Sequence, residues 1–335
     1  MRQALVTGAT GMLGAYIVER LVADGWRVRG LVRDPSRGSC VETLGAEAVT
    51  GNLADLGSLR SAAAGCDAIF HAAAFIGAAS DWEVFRVANV SGTEHVVAAA
   101  EAAGSRLVHV SSTSVFGRHR YGPGPTDESV PLPELPVGDA YGRSKQEAER
   151  VVLGAHASGR IWATVLRPPM MYGKRDRQFA PRLGPVLQRG IFPLVAGGST
   201  TLTLVHADSV AEGAIRAATR DVAGGRVYHV TNDFDVTAAE LVRYASLGLG
   251  RRLLAPHVSR GAARLGFRVL AVALAMAGRR DLAPHAQGIL EMLCRDNPFS
   301  SDRARRELGW TPAIRPAEGL PEAFRWWSQR RGRTS

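Results

Sequence analysis

A tyrosine and a lysine stand four residues apart in Tyr141-Gly142-Arg143-Ser144-Lys145. On a helix this spacing puts both side chains on one face. A free phenol ionises at about pH 10, too high for efficient proton exchange at neutral pH, and a neighbouring ammonium favours the phenolate. Such a tyrosine can give a proton to a carbonyl oxygen as hydride arrives, or take one from an alcohol in reverse. The pair alone also occurs on ordinary surface helices. A second element accompanies it: Val108-His109-Val110-Ser111-Ser112-Thr113-Ser114-Val115-Phe116-Gly117 carries three serines just past an apolar run. One hydroxyl there can bond the reacting oxygen, while the others satisfy backbone groups in a turn.

The hydride carrier is indicated at the other end of the chain. Gln3–Thr7 runs into Gly8-Ala9-Thr10-Gly11-Met12-Leu13-Gly14, with glycines three apart and a helical pattern following. A turn between strand and helix with bare backbone lets a pyrophosphate approach the amides of a helix N-terminus. The third glycine lets the helix pack closely on the strand. The second apolar run ends at Leu31-Val32-Arg33-Asp34. An acid at that strand end binds a ribose 2′-hydroxyl, whereas an arginine accommodates a 2′-phosphate. Val32 holds the place where an acid often sits and Arg33 follows, so NADP(H) is favoured over NAD(H). The other reading makes Arg33 a solvated loop residue and lets Asp34 serve NAD.

These residues need a scaffold that gathers them. Gln3–Thr7, Arg27–Val32, Ala48–Thr50, Ala68–His71, Arg106–Ser111 and Ile161–Arg167 read as buried strands. Helical patterns such as Leu13–Asp24 and Asn89–Ala103 lie between them. Continuous apolar strands alternating with helices imply an α/β fold, a doubly wound parallel sheet covered on both faces. Tyr121–Val137 reads as a proline- and glycine-rich surface loop. Arg226–Thr231 is expected to return as one more strand. Residues 1–171 plus about 202–232 are thus assigned to a dinucleotide-binding Rossmann domain. About 172–201 and 233–330 are assigned to a smaller C-terminal substrate lobe.

Composition narrows the function classes. The chain has 335 residues with 46% hydrophobic and 21% charged content, enough to bury a core without disulfides or metals. Cys40, Cys66 and Cys294 are scattered, which suits a reduced, cytoplasmic setting rather than a disulfide framework or cysteine metal site. No long apolar leader precedes the glycine turn, so no signal peptide is read. Val269–Ala277 is too short for a membrane span. With Arg264, Arg268, Arg279 and Arg280 around it, it is read as a lid or core helix, with a membrane-surface helix as the alternative. The net charge is +10, yet only Lys145 and Lys174 among 41 basic residues are lysines. The arginines are spread, apart from short runs at Arg303–Arg306 and Arg330–Arg333, so no nucleic-acid partner is expected. The histidines other than His206, which stands two residues before Asp208, have no ligand-like spacing, so no metal site is read.

Taken together the motifs resemble the extended short-chain dehydrogenase/reductases, an NAD-dependent epimerase/dehydratase-like group, over nearly the whole chain. The resemblance rests on the Thr7–Gly14 turn, Gly51-Asn52-Leu53, His71-Ala72-Ala73-Ala74, Asn89-Val90-Ser91-Gly92-Thr93, the serine cluster and Tyr141/Lys145. It extends to Arg167-Pro168-Pro169-Met170-Met171-Tyr172-Gly173, Val205-His206-Ala207-Asp208 and Leu308-Gly309-Trp310, and it implies that His206 and Asp208 form a strand-to-helix connection with Asp208 as an N-cap rather than metal ligands. It implies Tyr141 as acid/base and Lys145 as the group that lowers its pKa and bonds the nicotinamide ribose. Counting back from Val115-Phe116-Gly117, it gives Ser112 the substrate-polarising place. Cofactor contacts are implied at Gly8, Thr10, Gly11, Met12, Leu13, Gly14, Arg33, Asn52, Leu53, Ala72, Ala73, Ala74, Asn89, Val110, Pro168 and Met171. Asn52 stands where the family often has aspartate, and Asn89 suits a structural or ribose-relay role. Paired helices near Asn89–Ala103 and Tyr141–Leu153 imply a homodimer.

The family spans reductases, epimerases, dehydratases and decarboxylases, so the fold does not choose the reaction. Dehydration needs an Asp-Glu pair after the polarising position; Thr113 and Ser114 are there instead. Within the family the chain is similar to the dihydroflavonol-reductase-like and 3β-hydroxysteroid-dehydrogenase-like branch. The expectation is an NADP(H)-dependent ketone reductase or secondary alcohol dehydrogenase acting on a hydrophobic or polycyclic small molecule. Trp82, Phe116, Met170, Met171, Tyr172 and Phe179 are candidates to line its pocket, with core packing as the competing explanation. An NAD-dependent nucleotide-sugar epimerase is the alternative, and a non-catalytic NADP-sensing regulator the remote one.

Overall fold

The computed structural model describes residues 1–77, 81–117, 125–231, 236–276, 278 and 298–331. Arg279, Arg280, Cys294, residues 121–124 of the surface loop and the last four residues, on which expectations also fell, lie outside the described residues.

The strands are β1 (Gln3–Thr7), β2 (Arg27–Val32), β3 (Glu47–Thr50), β4 (Ala68–His71), β5 (Arg106–Val110), β6 (Ala163–Arg167), β7 (Met170–Tyr172), β8 (Leu194–Val195), β9 (Leu204–His206), β10 (Val227–His229) and β11 (His257–Val258). The helices are α1 (Met12–Ala23), α2 (Ser39–Glu42), α3 (Leu56–Ala63), α4 (Trp82–Phe85), α5 (Gly92–Ala103), α6 (Ala140–Ala157), α7 (Phe179–Leu187), α8 (Ala207–Thr219), α9 (Ala238–Leu249), α10 (Arg260–Met276), α11 (Asp302–Leu308) and α12 (Pro316–Arg331). The chain divides into two compact units. One comprises Met1–Pro169, Ala207–Thr231 and Phe299–Ala313; the other takes Met170–His206, Asn232–Pro298 and Ile314–Ser335.

The first unit is a seven-stranded sheet in the order β10-β6-β5-β4-β1-β2-β3, and every pairing is parallel. The chain moves outward from β1 on one side and then on the other, so loops at the carboxyl ends of β1 and β4 diverge over the β1–β4 boundary, where ligands bind in such sheets. The strands read as unbroken apolar runs because both faces are covered. Leu5, Ile69, Leu107 and Val165 pack with residues of α3, α5 and α6 into one core. The Leu308-Gly309-Trp310 motif closes this unit. Gly309 ends α11 at φ +60°, and the buried Trp310 donates its indole N–H to Ser209 O at 2.7 Å. Asp208 sits inside the first turn of α8, where its carboxylate takes two hydrogen bonds from Arg20 at 2.6 and 2.7 Å. It is therefore an ion-pair partner of α1, not the expected N-cap.

The second unit contains two small parallel pairs, β7 with β9 and β8 with β11. Its core joins Tyr172, Phe179, Leu183, Leu241 and Phe324. Helix α10 exposes Leu265, Val269, Val272 and Met276, so the core-helix reading fails for that stripe. Among the described residues no helix is long and apolar enough to cross a membrane.

Candidate active site

The turn after β1 is built by backbone contact. Gly8 has φ +72°, and a β-carbon on it would lie 2.8 Å from Ala73 N and 2.9 Å from Ala73 Cα. The loop after β4 is thus pressed against the turn, which joins the two strands at the point where the sheet reverses direction. Gly14 is equally constrained: a β-carbon there would be 2.1 Å from Gly8 O. Gly11 N–H donates to Gly8 O at 2.8 Å, and Gly11 itself is the N-cap of α1. It offers no side-chain cap, and α1 has no acid in its first turn. The amides of that turn therefore lack a side-chain acceptor and the positive end of the helix is uncancelled. Bare backbone, a positive φ and an uncapped helix start fit the pyrophosphate of a nicotinamide dinucleotide.

Tyr141 and Lys145 stand at the neighbouring strand end. Asp139 caps α6, accepting Gly142 N–H at 3.1 Å. Tyr141, Lys145 and Glu149 then fall on one face of successive turns. Lys145 is buried and its Nζ donates to Val110 O at 2.7 Å. Glu149 is held in a buried two-bond pair with Arg167 of β6, at 2.9 and 2.6 Å. Burial lowers the Lys145 ammonium to about 8, with Glu149 opposing. Burial pushes Tyr141 up to about 12, and a hydrogen bond with Ser112 pulls the other way. In this structure burial, rather than the expected pull of Lys145, dominates at the phenol. Tyr141 is thus firmly protonated at neutral pH.

The serine cluster resolves by burial. Ser111 continues the β5–β6 ladder through its N–H to Leu166 O at 2.7 Å, and its side chain is buried. Ser112 is extended and partly exposed; its Oγ accepts Ser114 N–H at 3.1 Å and donates to Ser114 Oγ at 2.9 Å. Ser112 is the hydroxyl that reaches Tyr141.

Asn89 lies in a π-helical stretch, Arg86–Ser91, between α4 and α5, an irregularity common at functional sites. Its Oδ1 accepts Phe75 N–H at 2.7 Å; its Nδ2 donates to Phe75 O at 3.1 Å and Ser144 Oγ at 3.0 Å. Ser144 donates to Tyr141 O at 2.8 Å. Asn89 therefore braces the tyrosine's helical turn. Ser144, Phe75 and Phe85 were not singled out from sequence. The Phe75 and Phe85 rings are 5.0 Å apart, and Phe85 lies edge-on 6.4 Å from Tyr141. An aromatic one residue beyond His71-Ala72-Ala73-Ala74 was the available signal.

The remaining expected residues separate. Arg33 is exposed. The Asp34 carboxylate is occupied locally, accepting Ser36 N–H at 3.0 Å and Ser36 Oγ–H at 2.8 Å. Arg37, overlooked in sequence, donates from Nη2 to Thr10 O at 3.4 Å. Asn52 is exposed with Oδ1 accepting Ala54 N–H at 3.1 Å, and the Leu53 carbonyl meets His95 Nδ1 at 2.7 Å. Ala72, Ala73 and Ala74 are partly exposed around the turn, as are Thr10, Gly11 and, in the second unit, Met171; Met12 stands at the start of α1 and Leu13 is buried behind it. Pro168 O accepts Thr113 N–H at 3.0 Å beside the serines. Trp82 stacks under the Arg143 guanidinium at 4.5 Å, and Met170 in β7 is exposed. Phe116, Tyr172 and Phe179 are corrected: each is 2% exposed or less. Phe116 packs with Val115 and Phe299, and the other two fill the second unit's core, so none offers surface to a substrate. No cluster of His, Cys, Asp or Glu among the described residues could hold a metal ion.

The family model for the NAD dependent epimerase/dehydratase family matches residues 4–231. The 4-hydroxy-2-methyl-3-oxo-4-farnesyl-3,4-dihydroquinoline-1-oxide ketoreductase of Stigmatella aurantiaca is 36% identical over 95% of this chain and 94% of its own. The 2-alkyl-3-oxoalkanoate reductase of Stenotrophomonas maltophilia (strain K279a) is 31% identical over 94% of this chain and 96% of its own. Among solved structures, the crystal structure of gox2253 superposes with a TM-score of 0.77 at 28% identity, covering 98% of this chain and 99% of that one. The chain belongs to the NAD dependent epimerase/dehydratase family and is an NAD(P)-dependent oxidoreductase of the extended short-chain dehydrogenase/reductase type.

Proposed function

We propose that the protein is an NADPH-dependent ketoreductase that converts a lipophilic ketone to a secondary alcohol. The observation that carries the reading is the placement of Tyr141, hydrogen-bonded to Ser112, with Phe85 edge-on to it and Phe75 against Phe85. When bound, the nicotinamide supplies the hydride. Tyr141 Oη gives its proton to the carbonyl oxygen and is reprotonated from solvent. Ser112 Oγ donates to the same oxygen and stabilises charge as it develops there. Lys145, fixed on Val110 O, offers its remaining N–H groups to ribose hydroxyls and its charge to the phenolate that forms.

Two features of the chain support NADPH over NADH. Arg33 is exposed at the end of β2, and the neighbouring Asp34 carboxylate accepts its hydrogen bonds from Ser36. Arg37 adds a second guanidinium within reach of the glycine turn. Apolar substrate preference is supported by the aromatic rings beside Tyr141 and by the names of the two reductase relatives.

The test is an NADPH-oxidation assay with 2-alkyl-3-oxoalkanoates, prenylated bicyclic ketones and UDP-sugars. Expected are turnover of the apolar ketones, NADPH preferred to NADH by at least ~10-fold in kcat/KM, and loss of that preference in Arg33→Ala. Turnover of UDP-sugars without added cofactor would replace this reading by epimerisation.

A further inference from the structure

A chain of buried hydrogen bonds runs from the glycine turn to the catalytic helix, and its direction is fixed at each step. Thr93 Oγ1 donates to Asn89 O at 2.6 Å. A hydroxyl has one hydrogen, so in its 3.1 Å contact with His71 Nε2 the threonine accepts and the imidazole carries the proton. His71 is neutral, because burial and the nearby Lys145 charge lower it to about 3. Its Nδ1 is therefore bare, and Thr7 Oγ1 donates to it at 2.7 Å. Thr7 Oγ1 in turn accepts Ala73 N–H at 3.3 Å, in the loop pressed against Gly8. Beyond Asn89 the path continues through Ser144 to Tyr141 O. The groups facing His71 are the Lys145 ammonium and the buried ring of His109, 5.2 Å away and held neutral by burial and by Lys145.

We propose that His71, as the Nε2–H tautomer, is a positioning residue that couples the cofactor turn to the turn of α6 bearing Tyr141. Its Nδ1 face holds Thr7 and the Gly8 loop; its Nε2 face holds Thr93, Asn89 and, through Ser144, the tyrosine. The kinetic consequence rests on Tyr141 acting as proton donor, as proposed above; the tautomer and the hold on the cofactor turn do not. A histidine that only filled space would affect both ends together, whereas a coupling histidine can be cut on one side at a time.

Asparagine and glutamine make the two cuts. His71→Asn keeps an acceptor at the Nδ1 position and loses the donor to Thr93. His71→Gln reaches the Nε2 position and loses the acceptor for Thr7. The expected result is crossed. H71N lowers kcat ~10-fold with the NADPH dissociation constant within about twofold; H71Q raises that constant ~10-fold with kcat at saturating cofactor within about twofold, the factor one hydrogen bond carries. Thr7→Val and Ser144→Ala, which leave the imidazole in place, should repeat the H71Q and H71N patterns respectively if the His71 variants do not fold. NADPH affinity is read by fluorescence titration, and the wild-type tautomer by two-bond proton–nitrogen NMR of histidine-labelled protein; neither needs a ketone substrate, so a wrong substrate assignment silences only the kcat arm. NMR should show a protonated Nε2 and a bare Nδ1, unchanged from pH 8 to pH 6. Parallel losses in both variants, wild-type behaviour in both, an Nδ1–H tautomer, or titration within that range would each overturn the proposal.

Discussion

Burial acts on Tyr141 and Lys145 in opposite senses. The phenol is held protonated to about 12, ready to donate, while the ammonium survives only to about 8. Removing the phenolic hydroxyl should cost turnover, not cofactor binding: Tyr141→Phe is expected to lower kcat by ~10³-fold, the scale of a general acid, with NADPH affinity within about twofold by titration. Near wild-type turnover would remove Tyr141 from the mechanism. The pH profile should then report the lysine. Ammonium is present below about 8 and lost above it, so kcat/KM for ketone reduction should be flat to about pH 7 and fall above about 8, while tyrosine is still protonated. Lys145→Arg keeps its charge through this range, so its profile should lose that limb even though its rate is lower. A limb unmoved in the arginine variant would assign it to another group.

At the scale of elements, the glycine turn makes the sharpest demand. A Gly14 β-carbon would meet Gly8 O at 2.1 Å, and backbone cannot swing aside as a side chain does. Gly14→Ala should destabilise by about 3 kcal/mol in urea and weaken NADPH binding ~100-fold. Gly154 is the contrast: it lies in the interior of α6, and a β-carbon added there would meet nothing within 4 Å. Gly154→Ala should gain about 0.5–1 kcal/mol. Equal effects at the two sites would mean the turn is not under this constraint. Elements with strong local signals were legible in the chain itself. β1, β2 and β4 stand where apolar-rich runs placed them, and β5 and β6 differ only at their ends, because strands covered on both faces are mostly apolar. The two- and three-residue strands of the second unit, β7, β8, β9 and β11, are too short for any period to show. Tyr172 and Phe179 illustrate the same limit within the site: an aromatic beside a motif looks alike whether it faces a ligand or a core, and only the fold of the second unit decides. The role of Asn89 was visible as a motif, but its π-helical setting and its link through Ser144 depend on contacts across 55 residues of sequence, which no local pattern encodes. Lys145 likewise was found by spacing, yet its carbonyl partner, Val110, is fixed only when β5 and α6 pack together.

For the molecule as a whole, the buried histidines of the first unit set its response to acid. His71 and His229 are lowered to about 3, both by burial first, and His109 well below its ordinary value for the same reason. In the unfolded chain each binds a proton at about 6.5. The folded state cannot follow until about 3, so between those values the unfolded chain holds more protons and stability falls as pH falls. Above about 6.5 the contribution is whole; below it each histidine removes about 1.4 kcal/mol per pH unit. Glu128 and Asp176 oppose this, since burial raises their carboxyls and favours their protonated folded forms, but they engage only toward the lower end of the window. Against a total stability of about 5–15 kcal/mol, three such histidines, together removing about 4 kcal/mol per pH unit, bring unfolding of the first unit into the range of about pH 3–5. Amide exchange in β4 and β5, followed with urea midpoints at pH 7.5, 6 and 5, should show protection falling progressively below about pH 6.5. His229 sits edge-on to Phe116 and Phe299, so His229→Phe leaves an apolar ring among apolar rings and should reduce the slope against pH by about one third, whatever it does to stability at pH 7.5. A stability independent of pH from 7.5 to 5, or a slope unchanged by that substitution, would mean that these rings accept protons in the folded state.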